Sequence, residues 1–395
     1  MVRGLFRPVE GMYSSMAATR STPAWRILVA DDQADVLEAL RWLLTGEGYE
    51  PEFVSSTEAV LERLRERPFD LLLMDLNYSR DTTSGREGLE LIPRVRAQDP
   101  SLPIVVMTGW GSVDTAVEAM RRGARSFVQK PWEDVALLEI VGREIEEAQA
   151  TKRRDAKQQR EFEEARLIQR GLLPATLPPT PGIQLASSWK PADGVGGDCF
   201  DVLTFPSGAV GITIADVAGK GVPAALLMSN LQAAVRAFAQ DGASPASVCT
   251  SVNRLLCRNM ASGRFVTFCY AYIDASRRKL TYANAGHNPQ FIVRSGGGVD
   301  RMEPGGTVLG VFSEGTYEQG AFALSPGDRL VFFTDGITEG RNPAGEEFGE
   351  EQLAASAVSH RSLQADEMLA SVLRDVERFN AGAYEDDATL IVGAL

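Results

Sequence analysis

The residues of this chain that can do chemistry are mostly carboxylates, and they form two groups that each follow short apolar runs. The first group comprises Asp31, Asp32, Asp75, Thr108 and Lys130, and the second comprises Asp198, Asp216, Asp335, Asp386 and Asp387. One carboxylate at the end of a strand means little. Several that converge from distant parts of a chain are the oxygen ligands that hard divalent cations prefer. The sequence therefore predicts two metal sites of different kinds.

The first group suggests phosphoryl chemistry. Crowding Asp31, Asp32 and Asp75 is costly unless a cation neutralises them, and Mg²⁺ is the simplest such cation. Asp75 would remain able to attack a phosphoryl group and form an acyl phosphate. Thr108 would then donate a hydrogen bond to a phosphoryl oxygen, while Lys130 supplies a positive charge to it. The Lys130-Pro131 sequence favours a cis peptide bond that turns this lysine inward.

Apolar runs alternate with amphipathic stretches between Arg26 and Pro131. This alternation predicts a doubly wound, flavodoxin-like parallel sheet, whose ligands collect beyond the carboxyl ends of the strands. Every residue of the first group lies at such an end. The alternative is a dinucleotide-binding sheet with incidental acids, but no Gly-x-Gly-x-x-Gly follows the first strand.

Residues 133–174 form one long charged segment that we predict to be a helical linker. Its apolar residues at heptad spacing are Leu138, Val141, Ile145 and Ala148, and the same register then meets Lys152, Asp155 and Gln159. This pattern predicts either a marginally stable coiled coil or a solvated single helix. In both cases the segment separates two domains.

Beyond a proline-rich stretch the chain becomes strand-rich, with helical patterns at 223–240, 245–260 and 363–379. Turn signals between the strands favour antiparallel pairing, with Asp198 and Asp216 on neighbouring strands of one hairpin. An α/β sandwich, in which helices cover two packed sheets, fits this pattern best.

The second acid group contains neither histidine nor cysteine, which indicates Mg²⁺ or Mn²⁺ rather than zinc. Two such ions can acidify a shared water and hold a phosphoryl group for in-line displacement. A Ser-His-Asp set is excluded by the histidines, which are only His287 and His360, and a Cys-x5-Arg loop is absent. A calcium-stiffened structural domain is the alternative, although structural sites usually take their ligands from one loop.

Composition limits the function classes further. The 395 residues carry a net charge of −13, which disfavours nucleic acid as a partner. No apolar run approaches the roughly 20 residues of a membrane span. The four cysteines show no CxxC spacing, which suits a reducing cytoplasm. Residues 1–25 lack the apolar core of a signal peptide, and we predict a disordered leader there.

Residues 26 to about 140 resemble a response-regulator receiver domain, on the acidic pair, Asp75, Thr108 and Lys130 quoted above. The resemblance implies that Asp75 is the phosphoacceptor, that Thr108 and Phe127 are switch residues, and that a cognate histidine kinase exists. It also implies that the backbone carbonyl of Asn77 joins Asp31, Asp32 and Asp75 in holding Mg²⁺. One departure is the polar loop at 77–86, which is longer than the family's usual short turn.

Residues 183–395 resemble the PPM-type serine/threonine phosphatases, in particular the branch similar to stage II sporulation protein E. The similarity extends to Ala-Asn-Ala-Gly-His-Asn-Pro at 283–289 and Leu-Leu-Pro at 172–174. The resemblance implies two Mn²⁺ or Mg²⁺ ions, with the ligands Asp198, Asp216, the backbone carbonyl of Val217, Asp335 and Asp386. Residues expected to support these ligands are Asp201, Asp387 and His287. His287 would be either a proton donor or a buried hydrogen-bonding residue.

The sequence thus predicts a leader (1–25), a receiver domain (26–132), a helical linker (133–174) and a PPM-type phosphatase domain (183–395). The function implied is a cytoplasmic, homodimeric two-component response regulator. Phosphorylation of Asp75 would control dephosphorylation of phosphoserine or phosphothreonine on a partner protein, by resemblance an anti-sigma-factor antagonist. The alternative is a catalytically silent adaptor that uses the phosphatase fold to bind a sigma-factor regulator.

Overall fold

The structure is a computed structural model that describes residues 25–78, 85–109, 113–192, 194–260, 263–303 and 305–395. The predicted leader lies outside the described residues except for Trp25, and so does most of the polar loop predicted after Asp75. The chain divides into two compact units, with the boundary between Gln158 and Gln159. Within the described residues, no helix combines the length and the apolar character needed to cross a membrane.

The first unit alternates strands and helices. Its elements are β1 (Arg26–Ala30), α1 (Ala34–Gly46), β2 (Glu50–Val54), α2 (Thr57–Glu66), β3 (Leu71–Asp75), α3 (Arg86–Gln98), β4 (Ile104–Thr108), α4 (Val113–Arg121), β5 (Ser126–Gln129) and the first part of α5 (Asp134–Leu172). The strands form one parallel sheet in the order β2-β1-β3-β4-β5. Helices cover both faces of such a sheet, so its central strands are continuous apolar runs. The doubly wound, flavodoxin-like prediction is confirmed.

The first turns of α5 belong to the core of the first unit. Leu137, Val141 and Ile145 are at most 1% exposed and pack with Ile27 and Val29 of β1. Val141 and Ile145, two of the heptad-spaced residues considered for helix pairing, are therefore buried within the first unit. Between residues 149 and 168, by contrast, no side chain of α5 is buried, in keeping with a linker.

The second unit contains the end of α5 and two antiparallel sheets with helices. Its further elements are β6 (Gln184–Lys190), β7 (Cys199–Thr204), β8 (Val210–Val217), α6 (Val222–Phe238), α7 (Pro245–Asn259), β9 (Val266–Asp274), β10 (Lys279–Ala285), β11 (Gln290–Val293), β12 (Val299–Met302), β13 (Gly320–Ala323), β14 (Arg329–Phe333), α8 (Asp335–Thr338), α9 (Gly349–Ser359), α10 (Ala365–Phe379) and β15 (Ala388–Ala394). The sheet orders are β13-β10-β9-β8-β7 and β12-β11-β14-β15-β6.

Side-chain alternation along β14 shows how the layers pack. Leu330 and Phe332 belong to the core shared with the other sheet, whereas Val331 and Phe333 pack with α9 and α10 on the opposite face. Successive side chains of a strand point to opposite faces, so one strand serves both layers. Helices α6 and α7 pack on the first sheet, and α9 and α10 pack on the second. The predicted α/β sandwich is confirmed.

A glycine of α3 allows this helix to approach the residue that follows Asp75. A Cβ atom at Gly88 would lie 2.5 Å from the Cα of Leu76 and 2.7 Å from its carbonyl oxygen. We expect Gly88→Ala to destabilise the receiver domain by about 1–3 kcal/mol, because backbone must move to admit the methyl group. Urea unfolding followed by tryptophan fluorescence would measure this, since every tryptophan except Trp189 precedes residue 133.

Gly46→Ala is the matched control. Gly46 is the last residue of α1, and nothing lies within 4 Å of a Cβ built on it. Its substitution should leave the midpoint unchanged or raise it slightly, since alanine favours a helix over glycine by up to about 1 kcal/mol. Equal midpoints for the two variants would contradict the close approach at Leu76.

Candidate functional site

The carboxyl ends of the parallel strands bring the first acid group together. Asp31 directly follows β1, Asp75 ends β3 and Thr108 ends β4. Carboxylate oxygens of Asp31, Asp32 and Asp75 all lie within 4.8 Å of one another. Among the described residues this is the one group of three acidic or metal-binding side chains with that spacing. The geometry is that of a cation site at the edge of the sheet.

Lys130 bridges two of these acids. Its Nζ donates to Oδ2 of Asp31 at 2.6 Å and to Oδ2 of Asp75 at 2.7 Å. Burial alone would lower the pKa of Lys130, but the hydrogen bonds to the two carboxylates and their charges outweigh burial and raise it. Burial raises the pKa of Asp31 despite the contact with Lys130. The peptide bond between Lys130 and Pro131 is cis, as the sequence suggested.

Backbone N–H groups contact the second carboxylate oxygen of Asp75. Oδ1 of Asp75 accepts from the backbone N–H groups of Leu76 (2.7 Å) and Asn77 (3.3 Å). The side-chain Oδ1 of Asn77 is buried without a hydrogen-bond partner. Thr108 is half-buried, and its carbonyl accepts from the backbone N–H of Lys130 at 2.6 Å. Phe127 on β5 is 49% exposed.

In the second unit, Asp198 is the most buried of the acids. It is 1% exposed and directly precedes β7. Its Oδ2 accepts from the hydroxyls of Thr334 at 2.6 Å and Thr389 at 2.5 Å, whereas its Oδ1 is buried without a partner. Burial raises the pKa of Asp198 well above its usual range, although the two hydroxyls oppose this. One oxygen is thus fixed, and the other remains available to a ligand.

Close backbone contact places Asp216 and Val217 beside the turn that carries Asp198. Both residues lie at the end of β8, which pairs with β7 through Cys199 and Ala215. A Cβ atom at Gly197 would lie 2.6 Å from the carbonyl oxygen of Val217 and 3.3 Å from Oδ1 of Asp216. The predicted hairpin arrangement of Asp198 and Asp216 is present, and glycine is needed for it.

A second close contact joins Asp335 to the pair at 386 and 387. A Cβ atom at Gly336 would lie 2.0 Å from the carbonyl oxygen of Asp387 and 3.1 Å from that of Asp386. These residues flank the neighbouring strands β14 and β15, whose pairing sets them side by side. Oδ2 of Asp386 also lies 3.1 Å from Nζ of Lys220.

Burial and the charges of neighbouring acids raise the pKa values of Asp216 and Asp335. Burial raises the pKa of Asp216 to about 7, with further contributions from the charges of Asp335, Asp386 and Asp387. Burial raises the pKa of Asp335 to about 6, and the charges of Glu339 and Asp386 add to it. Burial thus disfavours the ionised forms, and repulsion between the neighbouring carboxylates adds to this.

Asp387 fastens the turn that leads to Asp198. Its Oδ1 accepts from the backbone N–H of Ala192 at 2.8 Å, and its Oδ2 accepts from that of Gly197 at 2.6 Å. Asp201 forms a two-point ion pair with Arg236 of α6, at 2.6 and 3.2 Å, and so ties this helix to β7. Both side chains support the framework around Asp198.

His287 is 2% exposed, and both of its ring nitrogens are bonded. Nε2 lies 3.1 Å from the carbonyl oxygen of Phe333, and Nδ1 lies 2.7 Å from the hydroxyl of Thr267. Because a carbonyl only accepts, the proton resides on Nε2, and Nδ1 accepts from Thr267. Burial lowers the pKa of His287 to about 4, so the ring is neutral near pH 7. This setting matches the hydrogen-bonding alternative for His287.

Three contacts at this site were not predicted from the sequence. Thr334 and Thr389 bind Asp198, and the buried amide of Gln169 in α5 binds the backbone of Gly196. The two threonines carried a signal, because Thr334 directly precedes Asp335 and Thr389 lies two residues after Asp387. Gln169 carried none, because it lies in a charged helix in which no side chain between residues 149 and 168 is buried.

Comparisons with known proteins agree with these two folds. The response regulator receiver domain family matches residues 27–142, and the stage II sporulation protein E family matches residues 206–394. The phosphoserine phosphatase RsbU of Bacillus subtilis is 32% identical over 234 residues, which cover 59% of this chain and 69% of RsbU. The response regulator protein FleR of Pseudomonas aeruginosa is 39% identical over 120 residues, which cover 30% of this chain and 24% of FleR.

Among solved structures, the SiaA-PP2C domain of Pseudomonas aeruginosa superposes with a TM-score of 0.54 at 25% identity, covering 61% of this chain and 98% of that domain. Fold and sequence together define a receiver domain joined to a PP2C-type phosphatase domain. Through its second unit and its similarity to RsbU, the chain belongs to the stage II sporulation protein E family.

The raised pKa of Asp216 makes stability depend on pH in the metal-free protein. The folded state binds the proton more tightly (pKa about 7) than the unfolded chain does (3.8), so ionisation destabilises the fold. The penalty is absent below pH 3.8, grows as pH rises, and is complete above pH 7. We expect Asp216→Asn to raise the free energy of unfolding by about 1–3 kcal/mol at pH 8 and by little at pH 4.

Scanning calorimetry of chelator-treated protein at both pH values would measure this difference. Glu314→Gln, at an exposed carboxylate, is the control and should change stability at neither pH. A variant Asp216→Asn that is less stable than the wild type at pH 8 would contradict the repulsion among the acids.

Proposed function

We propose that the chain is a two-component response regulator with a metal-dependent phosphoprotein phosphatase as its output. The observation that carries the proposal is the buried, unpartnered Oδ1 of Asp198, next to acids whose pKa values are raised by burial and further by one another's charges. A buried polar atom without a partner costs free energy, and so does a group of like charges. A bound divalent cation would remove both costs at once.

The donor set fits hard cations. We propose that Asp198, Asp216, the carbonyl of Val217, Asp335 and Asp386 hold two Mn²⁺ or Mg²⁺ ions, since their donor atoms are all oxygens. When bound, such ions neutralise phosphoryl charge and make an attacking water more acidic. Unlike Asp31, Asp32 and Asp75, no three of these described carboxylates have oxygens that all lie within 4.8 Å of one another.

The chain's own residues give this site its shape. Thr334 and Thr389 hold one oxygen of Asp198 and leave the other for a ligand, while Asp387 holds the backbone at Gly197. His287 is neutral and bonded at both nitrogens, so we propose that it positions Phe333 and Thr267 rather than donating a proton to the leaving group.

The substrate proposed is phosphoserine or phosphothreonine on a partner protein. RsbU is named a phosphoserine phosphatase, and its similarity covers 59% of this chain. From the family resemblance we propose an anti-sigma-factor antagonist as the partner. Hydrolysis of p-nitrophenyl phosphate by the full chain should require Mn²⁺ or Mg²⁺ and stop on chelation. Failure to hydrolyse any phosphorylated substrate at saturating metal would favour the adaptor alternative instead.

The receiver domain provides the regulation in this proposal. Asp75 would accept a phosphoryl group from a histidine kinase, with Mg²⁺ held by Asp31, Asp32, Asp75 and the carbonyl of Asn77. The spacing of the three carboxylates and the position of Lys130 support it. Thr108 and Phe127 would respond to the phosphoryl group, and α5 would carry the response in a homodimer. Leu167 and Ile168 of α5, each 68% exposed, are candidate contacts between the two copies.

Replacing Asp216 should abolish turnover while the fold persists. A neutral amide lacks the negative charge that holds the cations, and the cations in turn stabilise the phosphoryl group by several kcal/mol. We therefore expect Asp216→Asn to lose about 100-fold or more in kcat at saturating Mn²⁺. Steady-state hydrolysis of p-nitrophenyl phosphate measures this. Asp241→Asn is the control, because Asp241 binds Ser207 in the turn at the other end of the β7–β8 pair. Near wild-type turnover in Asp216→Asn would refute the metal assignment.

Replacing Asp75 should abolish phosphorylation of the receiver. An amide is not a nucleophile towards phosphorus, so Asp75→Asn should incorporate no label from radioactive acetyl phosphate. Asp99→Asn, at the end of α3, should be labelled like the wild type. Labelling that persists in Asp75→Asn would place the phosphoacceptor at another residue.

A further inference from the structure

We infer that Gln169, in the last turn of α5, is a positioning residue for Asp198. The side chain is 2% exposed. Its Nε2 donates to the carbonyl oxygen of Gly196 at 2.6 Å, and its Oε1 accepts from the backbone N–H of the same residue at 3.0 Å. The inference rests on the proposed function, because it concerns the turn that presents the Asp198 ligand.

Two bonds to one residue fix both the place and the rotation of the backbone there. Gly196 is also confined from the other side, since a Cβ atom on it would lie 2.0 Å from Oδ2 of Asp387. The next residue, Gly197, donates to that same Oδ2 at 2.6 Å. The turn before Asp198 is therefore clamped between the linker helix and the segment that precedes β15.

The clamp is needed because the hydroxyls of Thr334 and Thr389 hold only Oδ2 of Asp198, while burial disfavours its charged form. Burial raises its pKa, and its Oδ1 has no hydrogen-bond partner. A free turn would let the carboxylate swing towards water, where its charge is better solvated. The bonds from Gln169 and Asp387 oppose that movement and keep Oδ1 directed inward before any cation binds.

The burial of Gln169 is itself unusual for its surroundings. No side chain of α5 is buried between residues 149 and 168, and a glutamine amide is rarely buried unless it is fully bonded. The end of the same helix is held by a second amide, since Nε2 of Gln232 in α6 donates to the carbonyl oxygen of Leu172 at 2.7 Å. The last turn of α5 is thus part of the site rather than only a connection to it.

Two substitutions at Gln169 separate hydrogen bonding from packing. Gln169→Met keeps the length of the side chain and removes both bonds. Gln169→Glu keeps the acceptor for the N–H of Gly196. When the new carboxyl is ionised, however, one of its oxygens faces the carbonyl oxygen of Gly196 and repels it. Gln232→Met is the matched control, because it removes a buried amide from the same helix end without touching Gly196.

Hydrogen exchange by mass spectrometry on the metal-free full chain measures the turn directly. We expect Gln169→Met to speed exchange at Gly196 and Gly197 about tenfold or more, with Gln232→Met within about twofold of the wild type at those amides. Titration calorimetry with Mn²⁺ should then show binding weakened about 10- to 100-fold in Gln169→Met, as for other residues that orient ligands. At saturating Mn²⁺ the KM for p-nitrophenyl phosphate should stay unchanged.

The pH dependence of amide exchange at Gly196 in Gln169→Glu distinguishes hydrogen bonding from packing. Below the pKa of the new carboxyl, its O–H donates to the carbonyl of Gly196 and restores both bonds. Exchange at Gly196 relative to the wild type should therefore be faster at pH 8 and close to equal at pH 5, whereas Gln169→Met should show the same ratio at both. Equal ratios for Gln169→Glu at the two pH values would overturn the hydrogen-bond account.

The readouts also separate this inference from the proposed function. If the wild type neither binds Mn²⁺ nor hydrolyses a phosphate ester, the proposed function fails, while the exchange experiment still reports on the clamp. If exchange at Gly196 and Gly197 is unchanged in Gln169→Met, the inference is overturned. Faster exchange with unaltered Mn²⁺ affinity would also overturn it, because Gln169 would then order the turn without positioning Asp198.

Discussion

The crowding of carboxylates in buried or partly buried positions is the constraint on which both sites depend. In the second unit burial raises the pKa of Asp216 to about 7 and that of Asp335 to about 6, and the charges of neighbouring acids add to both shifts. Charges so placed would separate if the backbone allowed it. The close backbone contacts at Gly197 and Gly336 prevent this, because they press the acid-bearing turns against neighbouring strands.

The two units differ in the groups that contact their crowded carboxylates. In the receiver, Lys130 lies between Asp31 and Asp75, and backbone N–H groups face the remaining oxygen of Asp75. In the second unit Lys220 contacts Asp386 at the exposed edge, and Asp198 and Asp387 are held by neutral hydroxyl and amide donors. Neutral donors fix geometry without cancelling charge, which leaves the site strongly attractive to cations.

The sequence predicted the acids together with the strands that position them, because a single sequence pattern marks both. An apolar run that ends in aspartate marks a buried strand and the side chain at its end, as in Leu71–Asp75 and Arg329–Phe333 followed by Asp335. Sequence reasoning missed α9, whose core-facing residues are mostly small. Gln169 and the buried first turns of α5 were missed because tertiary contacts, not local pattern, determine their burial.

The hydrogen bonds of Asp198 have a consequence for folding kinetics. Its partners Thr334 and Thr389 are 136 and 191 residues away along the chain. Contacts of such sequence separation form slowly, since a long loop must close before they stabilise anything. While β15 has yet to insert between β14 and β6, Asp198 remains hydrated and the crowding of the acids is avoided. Synthesis from the N-terminus therefore yields a receiver whose acids are assembled from residues 31 to 130 well before the second acid cluster exists.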